Sequence, residues 1–448
     1  MKKKIYRKAF CPWVGYAGNL DVEYIQSKEE GLDVDAYKEL FEQIKKLAPG
    51  EEREQMADAA FSLVLNASMR PDYPYQEPST LEEIRSLRKP VTLSRKPDLE
   101  KLPDQLLGAW LGRVCGCMLG KTVEGIRTDE LIPLLQESGN YPMHRYILST
   151  DITEDMLERF RFNLRFPPYA DKISCMPADD DTNYLVLAQE LIEQFGRDFT
   201  PENVSEAWTR WQPRSAYFTA EQVAYCNFVN GYEIPDSAIY KNPFREWIGA
   251  QIRGDYFGYI NPGNTEAAAD MAFRDACISH VKNGIYGEMF ASAMIAAAAV
   301  TTDLEEIILA GLGEIPATSR LYEAIMQILN DYRNGVSQEA AFEKIHTAWD
   351  EHTAHGWCHT ISNAMIVAAA LLYGEGDFGK SICMAVQTGF DTDCNGATVG
   401  SVLGIRGGSG CIGKEWTDPI HGLLQTQIQN VGTVSIAERA QMTLKHLA

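Results

Sequence analysis

Three features of this sequence predict an all-α protein, a bundle of many helices. Apolar residues recur at helical spacing in many separate runs, for example in residues 183–195 (NYLVLAQELIEQF). Glycine-bearing loops separate these runs. No stretch shows the strict alternation of apolar and polar residues that is typical of a half-buried strand. We therefore expect helices packed on helices, with no substantial sheet.

The composition narrows the possible functions. The 448 residues carry 62 acidic and 41 basic side chains, a formal charge of −21. This balance argues against a nucleic-acid surface and against docking on an anionic membrane. The basic start lacks the apolar stretch of a signal peptide, and the longest apolar window, residues 289–300, is too short to span a bilayer. Ten scattered cysteines without a CxxC pair suggest a reduced, cytoplasmic protein.

Residues 1–98 form a charged leader with weak periodicity. Residues 35–46 and 51–68 are predicted helices, and prolines at 71, 74 and 78 interrupt the next stretch of chain. We expect a small helical cap or an arm that packs on the main body.

A glycine-rich helix is predicted at residues 107–125. Gly108, Gly112, Gly116 and Gly120 recur every four residues and therefore share one helix face. Each glycine weakens a helix by about 1 kcal/mol relative to alanine, so the stripe indicates close approach of another backbone.

The remaining segments continue the helical pattern. Residues 254–264 (GDYFGYINPGN) are predicted to be a loop. The other predicted helices are residues 183–195, 202–211, 266–281, 285–301, 304–310, 321–333, 338–350, 362–373, 381–388 and 397–403.

Two acidic clusters precede predicted helices: Asp179-Asp180-Asp181-Thr182 and Asp391-Thr392-Asp393-Cys394. One or two aspartates at a helix start would need no explanation beyond capping. Capping does not account for five converging carboxylates, because each like-charge pair costs roughly 3 kcal/mol at ~5 Å and an effective dielectric of ~20. Oxygen ligands of this kind suit hard cations such as Mg²⁺, Mn²⁺ or Ca²⁺. The pair of clusters indicates a metal site with more than one ion.

Two other motifs compete with this interpretation. Residues 374–381 (GEGDFGKS) fit the phosphate-loop pattern GxxxxGK[ST], but no βα alternation surrounds them. His352, His355 and His359 have spacing that could place them on one helix face to bind zinc, although Gly356 interrupts that helix. We interpret the histidines as a surface or packing cluster.

Four segments together resemble the ADP-ribosylglycohydrolase family, the group that includes the dinitrogenase reductase-activating glycohydrolase. They are GAWLGRVCGCMLGKTVEG (108–125), ADDDTNYLVLAQELIE (178–193), RDACISHVKNGIYGEMFASAMIAAA (274–298) and GFDTDCNGATVGSVLG (389–404). The resemblance implies an all-α orthogonal bundle in which residues 99–448 form the catalytic domain. It also implies two divalent cations, Mg²⁺ first and Mn²⁺ as the alternative.

The resemblance also assigns residues. The implied metal ligands are Asp179, Asp180, Asp181, Asp391, Asp393 and Cys394. The implied catalytic residues are Asp180, Asp181, Asp391 and Glu124. The implied substrate-binding residues are His280, Asn283, Gly284 and Tyr286. Two positions depart from the family pattern, since Asp179 replaces a hydroxyl and Cys394 replaces a threonine.

The expected activity is metal-dependent hydrolysis of an ADP-ribosyl or related N- or O-ribosyl bond, in a small molecule or on a protein. A thiol suits Mg²⁺ poorly, so either Cys394 turns away or the preferred metal or metal count differs. The departures also allow a non-catalytic binder of ADP-ribose or another nucleotide. A phosphate-loop nucleotide hydrolase is the third alternative.

Overall fold

The computed structural model describes residues 12–447 and is all-α. The leader contributes four helices: α1 (Leu20–Glu29), α2 (Lys38–Lys46), α3 (Glu51–Leu65) and α4 (Leu81–Leu87). The predicted helices at 35–46 and 51–68 thus form, although the first begins with a single 3₁₀ turn. Helices α1 to α3 enclose a small core of their own, whereas Ile84 of α4 belongs to the large core of the body.

Buried ion pairs attach the leader to the body. Arg245 reaches Glu23 at 2.9 Å and Glu30 at 2.6 Å, and both carboxylates come from α1 and its C-terminal end. Glu77, buried farther along the leader, pairs with the half-buried Arg320 at 2.9 Å. Removing one partner would leave a charge buried without compensation, so the leader is held tightly against the body.

The body consists of nineteen helices in the described residues. The first nine are α5 (Leu102–Lys121), α6 (Thr128–Glu137), α7 (Glu154–Arg159), α8 (Asp180–Phe195), α9 (Pro201–Trp211), α10 (Thr219–Val229), α11 (Asp236–Ile239), α12 (Asp255–Tyr259) and α13 (Thr265–Ala276). The others are α14 (Lys282–Ala298), α15 (Leu304–Leu312), α16 (Arg320–Arg333), α17 (Gln338–Ala348), α18 (Ala354–Cys358), α19 (Thr360–Tyr373), α20 (Phe378–Gln387), α21 (Thr392–Gly407), α22 (Lys414–Thr417) and α23 (Ile436–Thr443). Alanine-rich α14 and α19 are buried along almost their entire length.

The glycine stripe of α5 packs antiparallel against glycines of α21, which we call the glycine seam. A Cβ added to Gly116 would lie 1.9 Å from the carbonyl oxygen of Gly396, and one added to Gly112 would lie 2.1 Å from that of Gly400. Gly108 meets Gly404 in the same way. The two backbones touch because no side chain separates them, in agreement with the spacing in the sequence.

One local prediction is wrong, and one small element has no signal in the sequence. The sequence predicts a loop at residues 254–264, but α12 forms within them because Tyr256, Phe257 and Tyr259 are fully buried in the core. A two-stranded antiparallel sheet, β1 (Leu423–Gln425) with β2 (Thr433–Ser435), also forms. Its strands are three residues long, which is too short for a detectable alternation. None of the helices in residues 12–447 is both long and apolar enough for a transmembrane span.

The phosphate-loop match at 374–381 lies in a helix–helix connection. It links α19 to α20, and Asp377 caps α20 by accepting a hydrogen bond from the Lys380 amide at 2.7 Å. A phosphate loop follows a buried parallel strand. The described residues contain only the small antiparallel sheet, so the structure excludes this motif.

Candidate active site

Helices α8 and α21 begin at the two acidic clusters. Asp179 caps α8, and its Oδ1 accepts a hydrogen bond from the Asp181 amide at 2.9 Å. Asp391 occupies the same position before α21 but makes no capping bond with its side chain. Phe390, just before it, adopts φ +57°, a left-handed conformation that is uncommon for a bulky residue. The chain is thus bent sharply where the second cluster begins.

The fold brings the two clusters together. One group places four possible ligand atoms within 4.8 Å of one another: Cys117, Asp179, Asp181 and Asp393. A second group does the same with Asp391, Asp393 and Cys394. Because Asp393 belongs to both, the groups adjoin and a single carboxylate joins them. The seam explains the placement, since a Cβ on Gly120 would lie 2.3 Å from the Asp393 amide.

The arrangement is electrostatically unfavourable on its own. Burial, followed by the charges of neighbouring carboxylates, raises the pKa of Asp393 well above its usual range. Burial also raises the pKa of Asp181, although Arg113 acts in the opposite direction. Asp181 Oδ2 and Asp393 Oδ1 are buried without a hydrogen-bond partner in the described part of the chain. Buried oxygens that lack a donor fit a bound cation, so the carboxylates present suit a divalent cation.

Two basic side chains of α5 offset part of the charge. Arg113 is fully buried and pairs with Asp181 at 2.9 Å and with Asp255 at 2.7 Å. Lys121 pairs with Asp179 at 2.5 Å. Burial alone would raise the pKa of Asp179, but the Lys121 ammonium holds it below its usual value. Asp391 and Asp393 form no salt bridge in the described residues.

A cleft of about 160 Å³ opens onto the clusters. Asp180 and Glu124 line it without belonging to either ligand group. Burial and then the charge of Asp179 raise the pKa of the Glu124 carboxyl to about 7. Both carboxylates therefore face the open space rather than the interior of the clusters.

The rim contains residues that the sequence did not single out. Trp13 from the leader, Phe218 and Trp357 supply aromatic walls. Glu221 also faces the cleft, and it pairs with the buried Arg253 at 3.0 Å. No pattern in the sequence indicates that Trp13 of the leader lines this cleft, because it lies more than a hundred residues from the first acidic cluster.

The four residues assigned to substrate binding lie outside this cleft. Asn283 donates to Glu77 and to Glu246, both at 2.8 Å. The Tyr286 hydroxyl donates to the carbonyl of Pro78, and Gly284 packs against the Arg245 carbonyl. His280 is buried beside Ser279. Leader residues 77 and 78 cover the N-terminal end of α14, where Asn283 and Tyr286 form hydrogen bonds within the protein. The assignment of all four residues to substrate binding stays a prediction.

His280 gives a testable pH dependence. Burial, and then the positive charge of Arg253, lowers its pKa well below the usual value. The unfolded chain therefore binds a proton between this lowered pKa and about 6.5 that the folded protein does not bind, so stability falls as pH decreases through this window. We expect His280→Gln to reduce the loss of melting temperature between pH 7 and pH 5. The exposed His352, changed to Gln, should keep the wild-type slope, and an equal slope in both variants would contradict this account.

A third group of metal-type ligands, Glu29, His355 and His359, is a hydrogen-bond cluster instead. Glu29 of α1 lies 3.0 Å from His355 Nε2 and 3.8 Å from His359 Nε2. In each histidine Nδ1 accepts a hydrogen bond, from Trp247 Nε1 at 3.2 Å and from the Ile361 amide at 3.1 Å. Nε2 must then carry the proton in a neutral ring, which leaves no lone pair for a metal. The cluster binds α1 to the body.

The three histidines do not share one helix face. His355 lies in α18, His359 caps α19, and His352 is exposed in the preceding turn. His355 and His359 are buried and serve in packing, whereas His352 is exposed on the surface.

Comparisons with known proteins identify the family of this chain. The family model for ADP-ribosylglycohydrolase matches residues 98–445. A solved structure described as an ADP-ribosylglycohydrolase-related protein complex matches with a TM-score of 0.50 and 18% sequence identity, over 77% of this chain and 97% of that chain. At this identity the likeness supports the fold alone. A search of curated proteins finds no match. Because the family match spans well over half of its length, the chain belongs to the ADP-ribosylglycohydrolase family.

Proposed function

We propose that the protein is a metal-dependent hydrolase that cleaves an ADP-ribosyl or related N- or O-ribosyl bond. Membership of a glycohydrolase family supports a hydrolase. The observation that carries the metal dependence is the convergence of two distant acidic clusters, with unpartnered carboxylate oxygens, at the base of a cleft. The cleft supplies room for a substrate beside the clusters.

The cations would be held by the two ligand groups, with Asp393 common to both. Divalent cations, Mg²⁺ or Mn²⁺ by the family resemblance, would supply electrostatic stabilisation and a more acidic water. Arg113 fixes the orientation of Asp181 through three contacts, two to its backbone carbonyl and one to its carboxylate. Lys121 fixes Asp179 through one contact, to its carboxylate. These positioned side chains keep the carboxylates converged before any substrate arrives.

Asp180 and Glu124 are the candidates for moving a proton. Each lines the cleft, and neither belongs to a ligand group, so each carboxylate is placed to accept a proton from an attacking water. Cleavage of a ribosyl bond passes through an oxocarbenium-like transition state, which nearby negative charge stabilises. The aromatic walls would exclude bulk water around the sugar.

The test is a hydrolysis assay with ADP-ribosyl-arginine, ADP-ribosyl-serine and O-acyl-ADP-ribose, with released ADP-ribose measured by chromatography. We expect turnover with Mg²⁺ or Mn²⁺ and none after EDTA treatment. Asp180→Asn or Glu124→Gln should lower kcat by about 10²–10⁴-fold, whichever is the base. Lys380→Ala is the control, because a glycohydrolase tolerates it and a phosphate-loop enzyme does not.

The non-catalytic alternative has a distinct outcome. A binder would take up ADP-ribose with an affinity that changes little after metal removal, and no product would appear from any of the three substrates. Calorimetry with and without EDTA measures this directly. That combination would overturn the proposed function.

A further inference from the structure

Two cysteines lie within the carboxylate clusters rather than beside them. Cys117 of α5 places Sγ within 4.8 Å of ligand oxygens of Asp179, Asp181 and Asp393. Cys394 of α21 places Sγ within the same distance of Asp391 and Asp393. Both cysteines are buried with free thiols. Each of the two aspartate groups therefore contains one sulfur.

The spacing is suitable for coordination. Metal–sulfur bonds of about 2.3 Å and metal–oxygen bonds of about 2.0–2.2 Å allow two ligand atoms of one ion to lie up to about 4.5 Å apart. The possible ligand atoms of each group lie within 4.8 Å of one another. The unpartnered Asp181 Oδ2 and Asp393 Oδ1 give independent evidence for a cation at the same place. A buried cysteine that only fills space has no need of three carboxylates around its sulfur.

The two thiols are held in position by the glycine seam. Cys117 follows Gly116, and Cys394 lies two residues before Gly396, so both sulfurs project from backbone that touches the opposite helix. The Cys117 thiol donates a hydrogen bond to Asp179 Oδ1 at 3.3 Å, which aims it into the cluster. The backbone that carries both thiols is therefore fixed beside the clusters.

We propose that this centre binds borderline dications, of the Zn²⁺ or Co²⁺ class, through one thiolate per ion, with Asp393 common to both ligand groups. This inference rests on the proposed function, which requires a metal centre at this place. It adds which class of ions the centre binds. On coordination each S–H bond breaks, the proton leaves to solvent, and a sulfur lone pair forms the bond to the cation. Soft sulfur favours these ions over Mg²⁺, which prefers oxygen ligands.

The test loads the full-length protein with two equivalents of Co²⁺ and records its absorption spectrum. We expect a sulfur-to-cobalt charge-transfer band in the near ultraviolet. Cys117→Ser and Cys394→Ser should each lose about half of this band, and the double variant should lose it. Cys383→Ser is the matched control, because Cys383 is buried on α20 outside both groups.

Metal competition gives a second measurement that does not depend on activity. We expect Cys394→Ser to lower the ratio of Zn²⁺ affinity to Mg²⁺ affinity at least about tenfold. Wild-type protein that binds Co²⁺ without the charge-transfer band would overturn the inference, even if Mg²⁺ supports hydrolysis. A band without turnover in any metal would instead overturn the proposed function and leave the thiolate ligands standing.

Discussion

Replacing Asp393 by asparagine is expected to abolish turnover and at the same time stabilise the metal-free protein. Asp393 is the one carboxylate in both ligand groups, so its loss removes a ligand from each cation. Metal stabilisation of the transition state amounts to several kcal/mol, so kcat/KM should fall about 10³-fold or more. Relief of like-charge repulsion should raise the free energy of unfolding of the metal-free variant by on the order of 1–3 kcal/mol.

Denaturant unfolding with and without divalent cations measures both effects. At a cation concentration of 100 Kd, the free energy of unfolding of the wild-type protein should increase by about 2.7 kcal/mol. That of the variant should increase much less at the same concentration. Asp331→Asn is the control, because Asp331 is also buried but lies outside both groups. An Asp393→Asn protein that is less stable without metal, or that keeps full activity, would show that the cluster is structural.

Replacing Gly116 by alanine is expected to destabilise the fold strongly. Helix propensity alone predicts a gain of about 1 kcal/mol. The added methyl group would, however, lie 1.9 Å from the Gly396 carbonyl oxygen, and backbone on both sides cannot move aside. Overpacking of this kind costs about 3 kcal/mol or more, so the overlap dominates. Urea unfolding of the purified variant measures the net effect.

Gly410→Ala is the matched control for the seam. A Cβ added to Gly410 would have no atom within 4 Å, and this glycine adopts no left-handed conformation. Its substitution should change the free energy of unfolding by less than about 0.5 kcal/mol. Equal stabilities of the two alanine variants would mean that α5 and α21 do not touch through their backbones.

Local patterns were enough to predict many of the helices, although not α6, α10 or α23, and the acidic character of the centre. The period-four glycines predicted a backbone contact, and the two aspartate runs predicted a convergence. A further pattern in the sequence could have indicated the partners of the first cluster: Arg113, Cys117 and Lys121 follow successive glycines of the stripe at intervals of four. They share one face of α5, and all three contact the first acidic cluster. A charged residue that recurs beside a small-residue stripe points to a buried partner.

Contacts between distant segments could not be predicted in this way. Nothing local to Trp13 or Glu77 indicates that the leader reaches the cleft or covers the end of α14. The histidine spacing suggested one face, but Thr353 and His359 each cap a new helix and divide the segment. These features depend on packing between elements that are distant in the chain, and no periodic pattern in a single sequence indicates such packing.

The four-residue repeat of the glycine seam leaves the alignment of its two helices ambiguous. Sliding α21 along α5 by one repeat, about 6 Å, would bring glycine opposite glycine again. Contacts at the two ends remove this degeneracy: Thr392 Oγ1 donates to the Gly120 carbonyl at 2.9 Å, and Gln105 Nε2 donates to the Ile405 carbonyl at 2.9 Å. A slipped helix would carry Asp393 a full turn away from Asp179, so these two end contacts select the register in which the carboxylates meet.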